Sequence, residues 1–277
     1  MIPKKIHYVW VGEKEKPPIV ISCIESWKKY CPDYEFIEWN NKSLSQIERN
    51  NYVREAFESK KWAFVSDYLR LYALYHYGGM YCDTDLEITE SLDQFRRHAF
   101  FTGFENFKGK FSPLTALMGA EKGNQIVGDL LAEYDTLNFI KEDGLMDLTP
   151  NVKRVADYFS KTFGLTEKLC KRNEYFSFSD RSAIYPSFYF CTPQQGKPNY
   201  SIHHFNGSWL PNYSRKLLIE IKSEVMRVLN FKILAYHQIK SDSSNFPISE
   251  AEQLLLKFPV FPRYGIAILK QKSKSKL

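Results

Sequence analysis

Residues 62–88 constrain the fold more than any other part of the chain. They read WAFVSDYLRLYALYHY, then Gly78-Gly79, then MYCDTDLEI. The first stretch is the most apolar helix in the sequence. The glycine pair stops it, as expected where a helix end calls for a left-handed backbone. The remainder predicts a strand over 80–88 that carries Asp83-Thr84-Asp85. The residues before the two acids are apolar, so the acids emerge from a buried strand and not from a surface loop.

Upstream, KIHYVWV (5–11) alternates and is rich in β-branched and aromatic residues, which predicts a strand. Pro17-Pro18 precede IVISCIESWKKYC, where Ile19, Cys23, Trp27 and Cys31 recur at helical spacing. Pro32-Asp33 ends that helix, and YEFIEW (34–39) predicts a second strand. Strand, helix and strand at this length make a βαβ unit with a parallel pair. Ligands of open α/β sheets lie at the carboxyl ends of such strands. Residues 40–60 are polar, a short helix with loops. Downstream, 98–104 reads as a strand, 124–135 and 151–163 as helices, and 184–205 as short strands rich in Tyr and Phe. Residues 214–240 and 249–257 read as amphipathic helices. The fold class is α/β.

With 277 residues, 44% apolar and 25% charged, the chain suits one large globular domain or two small ones. No run of about 18 uncharged apolar residues is present to span a bilayer. The start, MIPKKIHYVWVG, lacks an apolar stretch long enough for a signal peptide, so a cytoplasmic location is expected. Five scattered cysteines without a CxxC pair point to reduced, buried thiols. The net charge of +6 is local: six bases and no acid follow Glu252, and without them the bases balance the 32 acids. Nucleic-acid binding over the whole surface is thereby disfavoured. An aromatic content of 16% serves either a filled core or stacking faces, and composition does not choose between them.

On a strand, Asp83 and Asp85 share a face, about 6.5–7 Å apart. Carboxylates that close repel unless a divalent cation lies between or beside them. Oxygen ligands suit Mg²⁺ or Mn²⁺, which bring phosphates to complete their shells. Asp67 and Arg70 lie on one face of the apolar helix. They are either a structural ion pair or a charged pair serving a site, and helix spacing by itself favours the ion pair. His203 and His204 point to opposite sides of a strand, so at most one serves a given site. Asn206 and Ser208 add ligand oxygens, and Trp209 can close over a bound molecule. No P-loop, dinucleotide-binding or nucleophile-elbow motif is present. A phosphatase-like nucleophile role for Asp83 is disfavoured, because a complete βαβ unit and a long helix come before it.

The strings IPKKIHYVWVG, AFVSDYLRLYALYHYGGMYCDTDLEI and IHHFNGSW together resemble glycosyltransferase family 32. This DXD sugar-transferase group includes yeast-type Golgi mannosyltransferases and bacterial capsule or O-antigen enzymes. A more distant likeness is to the glucosyltransferase domain of large clostridial toxins. The resemblance covers residues 2–95, thins over 96–200 and returns at 201–209. It implies a GT-A fold, a Rossmann-like nucleotide-sugar-binding fold with a mixed central sheet and additional helices. A catalytic domain is expected over 1–210, with a nucleotide-sugar-binding half (1–95) and an acceptor half (96–210). A helical extension with a basic tail follows over 211–277.

The resemblance also implies a UDP-linked hexose donor, Mn²⁺ or Mg²⁺, and retention of anomeric configuration. The acceptor it implies is a saccharide or lipid-linked oligosaccharide of surface-polysaccharide synthesis, with no nucleic acid involved. By the same resemblance Trp10 stacks on the donor base, and Ser66, Asp67 and Arg70 contact ribose, sugar hydroxyls and phosphate. Tyr81 contacts phosphate or sugar. Asp83 and Asp85 form the metal motif, with Asp85 the direct ligand. Ser208 and Trp209 form a closing loop. Catalysis falls to Asp67, Arg70, Asp83 and Asp85. Where the toxin-like domains carry a further acidic metal ligand, this chain offers His203, His204 or Asn206, and His203 is favoured. No carboxylate nucleophile stands out, so same-face attack aided by the leaving phosphate is expected. A GDP-mannose-dependent mannosyltransferase is the alternative within this class, and a non-catalytic nucleotide or RNA binder is the alternative outside it. The basic tail suits peripheral contact with an anionic membrane surface at the inner face of the cell membrane.

Overall fold

The computed structural model describes residues 1–48, 50–107 and 109–205. In chain order the elements are β1 (Lys5–Val9), α1 (Pro18–Tyr30), β2 (Glu35–Trp39), α2 (Asn41–Ser45), α3 (Asn51–Glu58), α4 (Trp62–Tyr77), β3 (Gly79–Cys82) and β4 (Leu86–Ile88). There follow β5 (Phe100–Phe107), β6 (Lys110–Ala120), α5 (Gln125–Glu133), α6 (Asn151–Phe163), α7 (Glu167–Arg172), β7 (Phe176–Ser179), β8 (Ser182–Tyr185), α8 (Ser187–Phe190) and β9 (Ser201–His203).

The central sheet has seven strands in the order β2-β1-β3-β6-β5-β8-β7. The pairs β1/β2, β1/β3 and β5/β8 are parallel, and β3/β6, β5/β6 and β7/β8 are antiparallel. The sheet is therefore mixed, as the sequence led us to expect, with the βαβ unit forming its parallel half. A second, two-stranded sheet pairs β4 with β9. Strand alternation divides β3 between two cores: Tyr81 faces the one built on α3–α6, and Met80 and Cys82 face the one built on α1. Layers on both faces of a sheet are the usual way to bury it fully.

Gly78 and Gly79 adopt φ of +63° and +114°. A Cβ on Gly79 would stand 2.8 Å from the Lys5 carbonyl oxygen of β1, so the turn from α4 into the sheet requires glycine there. His7, fully buried on β1, locks the same junction. Trp39 Nε1 donates to its Nδ1 at 3.2 Å, so Nε2 carries the proton and donates to the Gly78 carbonyl at 2.8 Å.

The structure differs from the sequence reading at several points: 40–60 holds two helices, α2 and α3, and 184–205 holds the short helix α8 besides its strands. The strand predicted over 80–88 is two strands in two different sheets, broken at Asp83-Thr84-Asp85, which is a turn closed by Leu86 N donating to Asp83 O at 2.9 Å. The stretch after 104, unassigned from sequence, holds the long strand β6. Pro113 within it looks like a breaker, but it sits opposite Phe104, where the β5/β6 ladder already shifts register. The five cysteines are buried and free. No helix among the described residues is long and apolar enough to cross a membrane. The boundary at 210, the helices over 214–240 and 249–257, and the tail lie outside the described residues.

Candidate active site

The site forms at the carboxyl ends of β1 and β3, which run parallel with Ile6 opposite Met80 and His7 opposite Tyr81. Beyond β3 the chain turns through Asp83-Thr84-Asp85 and enters β4. Helix α1 pins that exit: Trp27 Nε1 donates to Leu86 O at 2.7 Å, and Ile88 N donates to Ser26 Oγ at 2.9 Å. Strand β9 comes back against β4 with His203 opposite Leu86. The result is that one carboxylate oxygen from each of Asp83 and Asp85 and one ring nitrogen of His203 lie within 4.8 Å of one another.

The two histidines diverge as strand alternation requires. His203 Nε2 lies 3.4 Å from Asp85, and His204 Nε2 lies 3.0 Å from Glu87. Of the three alternatives kept from sequence, the structure brings His203 to the acidic turn. The His204 ring turns away to Glu87, although its backbone N–H donates to Asp85 O at 3.0 Å, and Asn206 lies outside the described residues. His203 Nδ1 is buried without a hydrogen-bond partner among the described residues. Burial by itself would lower the His203 pKa, but Asp85 beside it, with Asp83 behind, overrides this and raises it to about 10. Two carboxylate oxygens and an imidazole nitrogen this close fit a divalent ion once the ring gives up its proton, and the nitrogen suits a first-row ion better than Mg²⁺, whose shell is oxygen.

Beneath this turn, α4 delivers Ser66, Asp67 and Arg70. Ser66 Oγ donates to Tyr81 OH at 2.9 Å, and Tyr81 OH in turn donates to Asp83 Oδ1 at 2.7 Å. Arg70 Nη2 lies 3.0 Å from Asp67 and 3.3 Å from Asp83, and Nη1 donates to the Thr115 carbonyl of β6 at 2.6 Å. The guanidinium also covers the Tyr81 ring at 4.6 Å. The choice left open by helix spacing is resolved: Asp67–Arg70 is an ion pair, and it reaches the acidic turn as well. Burial opposes the Arg70 charge, but Asp83, Tyr81 and Asp67 hold it firmly protonated. Burial pushes the Asp67 pKa up to about 6, with Arg70 opposing and Asp83 adding to the rise.

Trp10 follows β1 at the same edge of the sheet. Its Nε1 donates to Lys14 O at 2.8 Å, and Lys16 Nζ stands 5.9 Å from its ring. Ser208 and Trp209 lie outside the described residues. One group had no sequence signal. Glu105 on β5 is partly buried, and its charge acts on His203, Asp83 and Arg70. It follows the strand expected over 98–104, in a stretch with no motif, and only the β5/β6 register brings it near.

Residues 17–102 match the family described as a glycosyltransferase sugar-binding region containing a DXD motif. Over 95 residues the chain is 30% identical to inositol phosphoceramide mannosyltransferase 3 of Schizosaccharomyces pombe, covering 33% of this chain and 26% of that one. Over 111 residues it is 30% identical to the Subversion of eukaryotic traffic protein A of Legionella pneumophila, covering 31% of this chain and 17% of that one. The aligned stretch therefore spans well under half the length of these relatives. Among solved structures, the PaToxG glycosyltransferase aligns with a TM-score of 0.44 at 20% identity, over 61% of this chain and 73% of that one.

Proposed function

We propose that this chain, whose residues 17–102 form a DXD-containing glycosyltransferase sugar-binding region, is a metal-dependent retaining glycosyltransferase. It moves a hexose from a nucleotide sugar to a saccharide acceptor. The observation that carries this reading is the convergence of Asp83, Asp85 and His203 within 4.8 Å, with Arg70 at 3.3 Å from the same Asp83 carboxylate. Paired acids that hold a cation, next to a permanently charged guanidinium, suit a diphosphate leaving group.

Asp83, Asp85 and His203 would hold the ion. A divalent ion bound there supplies a Lewis acid that offsets phosphate charge. Ser66 and Tyr81 orient the Asp83 carboxylate through their relayed hydrogen bonds. Asp67 and the Thr115 carbonyl fix the Arg70 fork, so its charge is preorganised where negative charge grows on the departing diphosphate. Trp10, at the same sheet edge, offers an aromatic face to the nucleobase. The acceptor hydroxyl attacks on the face the diphosphate leaves.

UDP-hexoses are the favoured donors, with an acceptor in surface-polysaccharide synthesis. GDP-mannose is the second reading, since the S. pombe relatives are named mannosyltransferases. The test is a screen of UDP- and GDP-hexoses for hydrolysis or transfer, with Mn²⁺, with Mg²⁺ and with EDTA. Turnover is expected with metal and absent in EDTA. Asp85→Asn should fold and lose at least about a hundredfold in kcat, because a lost metal carboxylate weakens charge neutralisation. Near-normal turnover in that variant or in EDTA would refute the reading. Nucleotide binding without turnover of any donor would favour the non-catalytic binder.

A further inference from the structure

We propose that Glu105 is a further catalytic carboxylate, which faces the donor sugar and stabilises the positive charge that develops there as the nucleoside diphosphate leaves. This rests on the transferase reading above. Glu105 lies where the β5–β6 hairpin runs past the end of β3, and the contacts along β6 measure that overhang. Cys82 pairs with Leu117, Asp83 N donates to Ala116 O, Arg70 donates to Thr115 O, and Glu105 pairs with Ser112. Moving along β6 thus leads from the end of β3, past the acidic turn and Arg70, to Glu105.

The direction of the side chain follows from strand alternation. Residues two apart share a face, so Glu105 and Phe107 point the same way. The Phe107 ring lies 5.4 Å from that of Phe205, and Phe205 lies 4.2 Å from the His203 ring. Glu105 therefore looks onto the wall that holds His203.

Its surroundings do not repay its burial. Ser112 Oγ donates to it at 3.3 Å, and among the described residues no lysine or arginine forms an ion pair with it. Burial pushes its pKa up, against the pull of His203. The other acids of the site have cationic side chains: Asp67 and Asp83 share Arg70, and Asp85 has His203. A partly buried carboxylate with no ion pair among the described residues costs stability, and groups of this kind concentrate where charge is used.

The reaction gives it a use. The bond from the anomeric carbon to the phosphate oxygen breaks, and its electron pair leaves with the diphosphate. Positive charge spreads over the anomeric carbon and ring oxygen. The acceptor hydroxyl, or water, forms the new bond and passes its proton to the departing phosphate oxygen. Glu105 forms no bond; it attracts a charge that exists in the transition state and not in the neutral sugar, which is the condition for raising kcat.

The test is Mn²⁺-supported hydrolysis of UDP- and GDP-hexoses by the full chain, wild type against Glu105→Gln, with Mn²⁺ affinity measured by calorimetry. The amide keeps the shape and the Ser112 hydrogen bond. A fall in kcat of about a hundredfold is expected, with KM and Mn²⁺ affinity changed by no more than about twofold. A kcat within about threefold of wild type overturns the proposal, and so does Mn²⁺ affinity weakened about tenfold, which assigns Glu105 to the metal shell instead. If Glu105→Gln melts below the assay temperature, Glu105→Asp decides: an unchanged kcat overturns the proposal, and a fall of about tenfold at constant KM supports it. A wild type inert on every donor overturns the transferase reading and this proposal together, whereas an active wild type with an unaffected variant overturns this proposal alone.

Discussion

The Arg70 guanidinium stands 3.3 Å from the Asp83 carboxylate, linking the middle of α4 to the end of β3. The same group holds Asp67 at 3.0 Å, so one buried cation serves two acids from different elements. This ties the most apolar helix of the chain to the turn that carries its paired carboxylates.

Arg70→Met should leave the partly buried Asp67 and Asp83 without their buried cation. Breaking a buried pair by removing one partner costs about 3–5 kcal/mol. A large drop in chemical-denaturation stability is expected. Arg70→Lys keeps the charge but not the fork that spans Asp67, Asp83 and the Thr115 carbonyl. It should remain folded yet lose about tenfold or more in kcat/KM on whichever nucleotide sugar is turned over. Wild-type stability in Arg70→Met would show that the ion pair contributes nothing.

Stability should fall at both ends of the pH scale, through two different histidines. Burial lowers the His7 pKa from 6.5 to about 4. Its contribution is whole above pH 6.5 and is lost as pH falls toward 4, where the unfolded chain binds the proton and the folded chain resists it. His203 has the opposite sign. With a folded pKa raised to about 10, its contribution is whole below pH 6.5 and is lost as pH rises through 10. Thermal melts in EDTA from pH 4 to 10 should show both slopes, and His203→Gln should flatten the alkaline one alone. Because Mn²⁺ must displace the imidazolium proton, its binding should release protons and tighten with pH.

Trp10→Ala should weaken binding of the free nucleoside diphosphate by about 1–3 kcal/mol, the worth of a base stacked on an aromatic ring. The ring's hydrogen bond to Lys14 O orients it at the sheet edge without burying it in the core. Unchanged affinity by titration calorimetry would make Trp10 a support for the 10–16 loop instead.

The six bases after Glu252, with no acid among them, should hold the chain loosely on anionic vesicles. Each base near an anionic leaflet contributes about 1 kcal/mol, and salt should weaken the attachment. Co-sedimentation of the full chain and of one ending near Phe258, with anionic and neutral lipid, checks this. Equal, negligible binding by both would remove membrane contact from the role of the tail.

By itself the sequence determined the helix over 62–77, its glycine stop, the parallel β1/β2 pair and the candidate residues on α4 and β3. Those features are local: apolar periodicity, the backbone freedom of Gly78-Gly79 and the Pro17-Pro18 start all act within a few residues of the chain. The tertiary structure alone decided three things. It made Asp83-Thr84-Asp85 a turn between two sheets, because Trp27 draws Leu86 down to α1 while Ala116 O holds Asp83 on β6. It selected His203 over His204, because pairing of β9 with β4 fixes which face meets the turn. It brought Glu105 to the site, because the β5/β6 register carries that strand past the end of β3. Each of these depends on how distant segments align, and a one-residue slip of register would turn every such side chain to the opposite face.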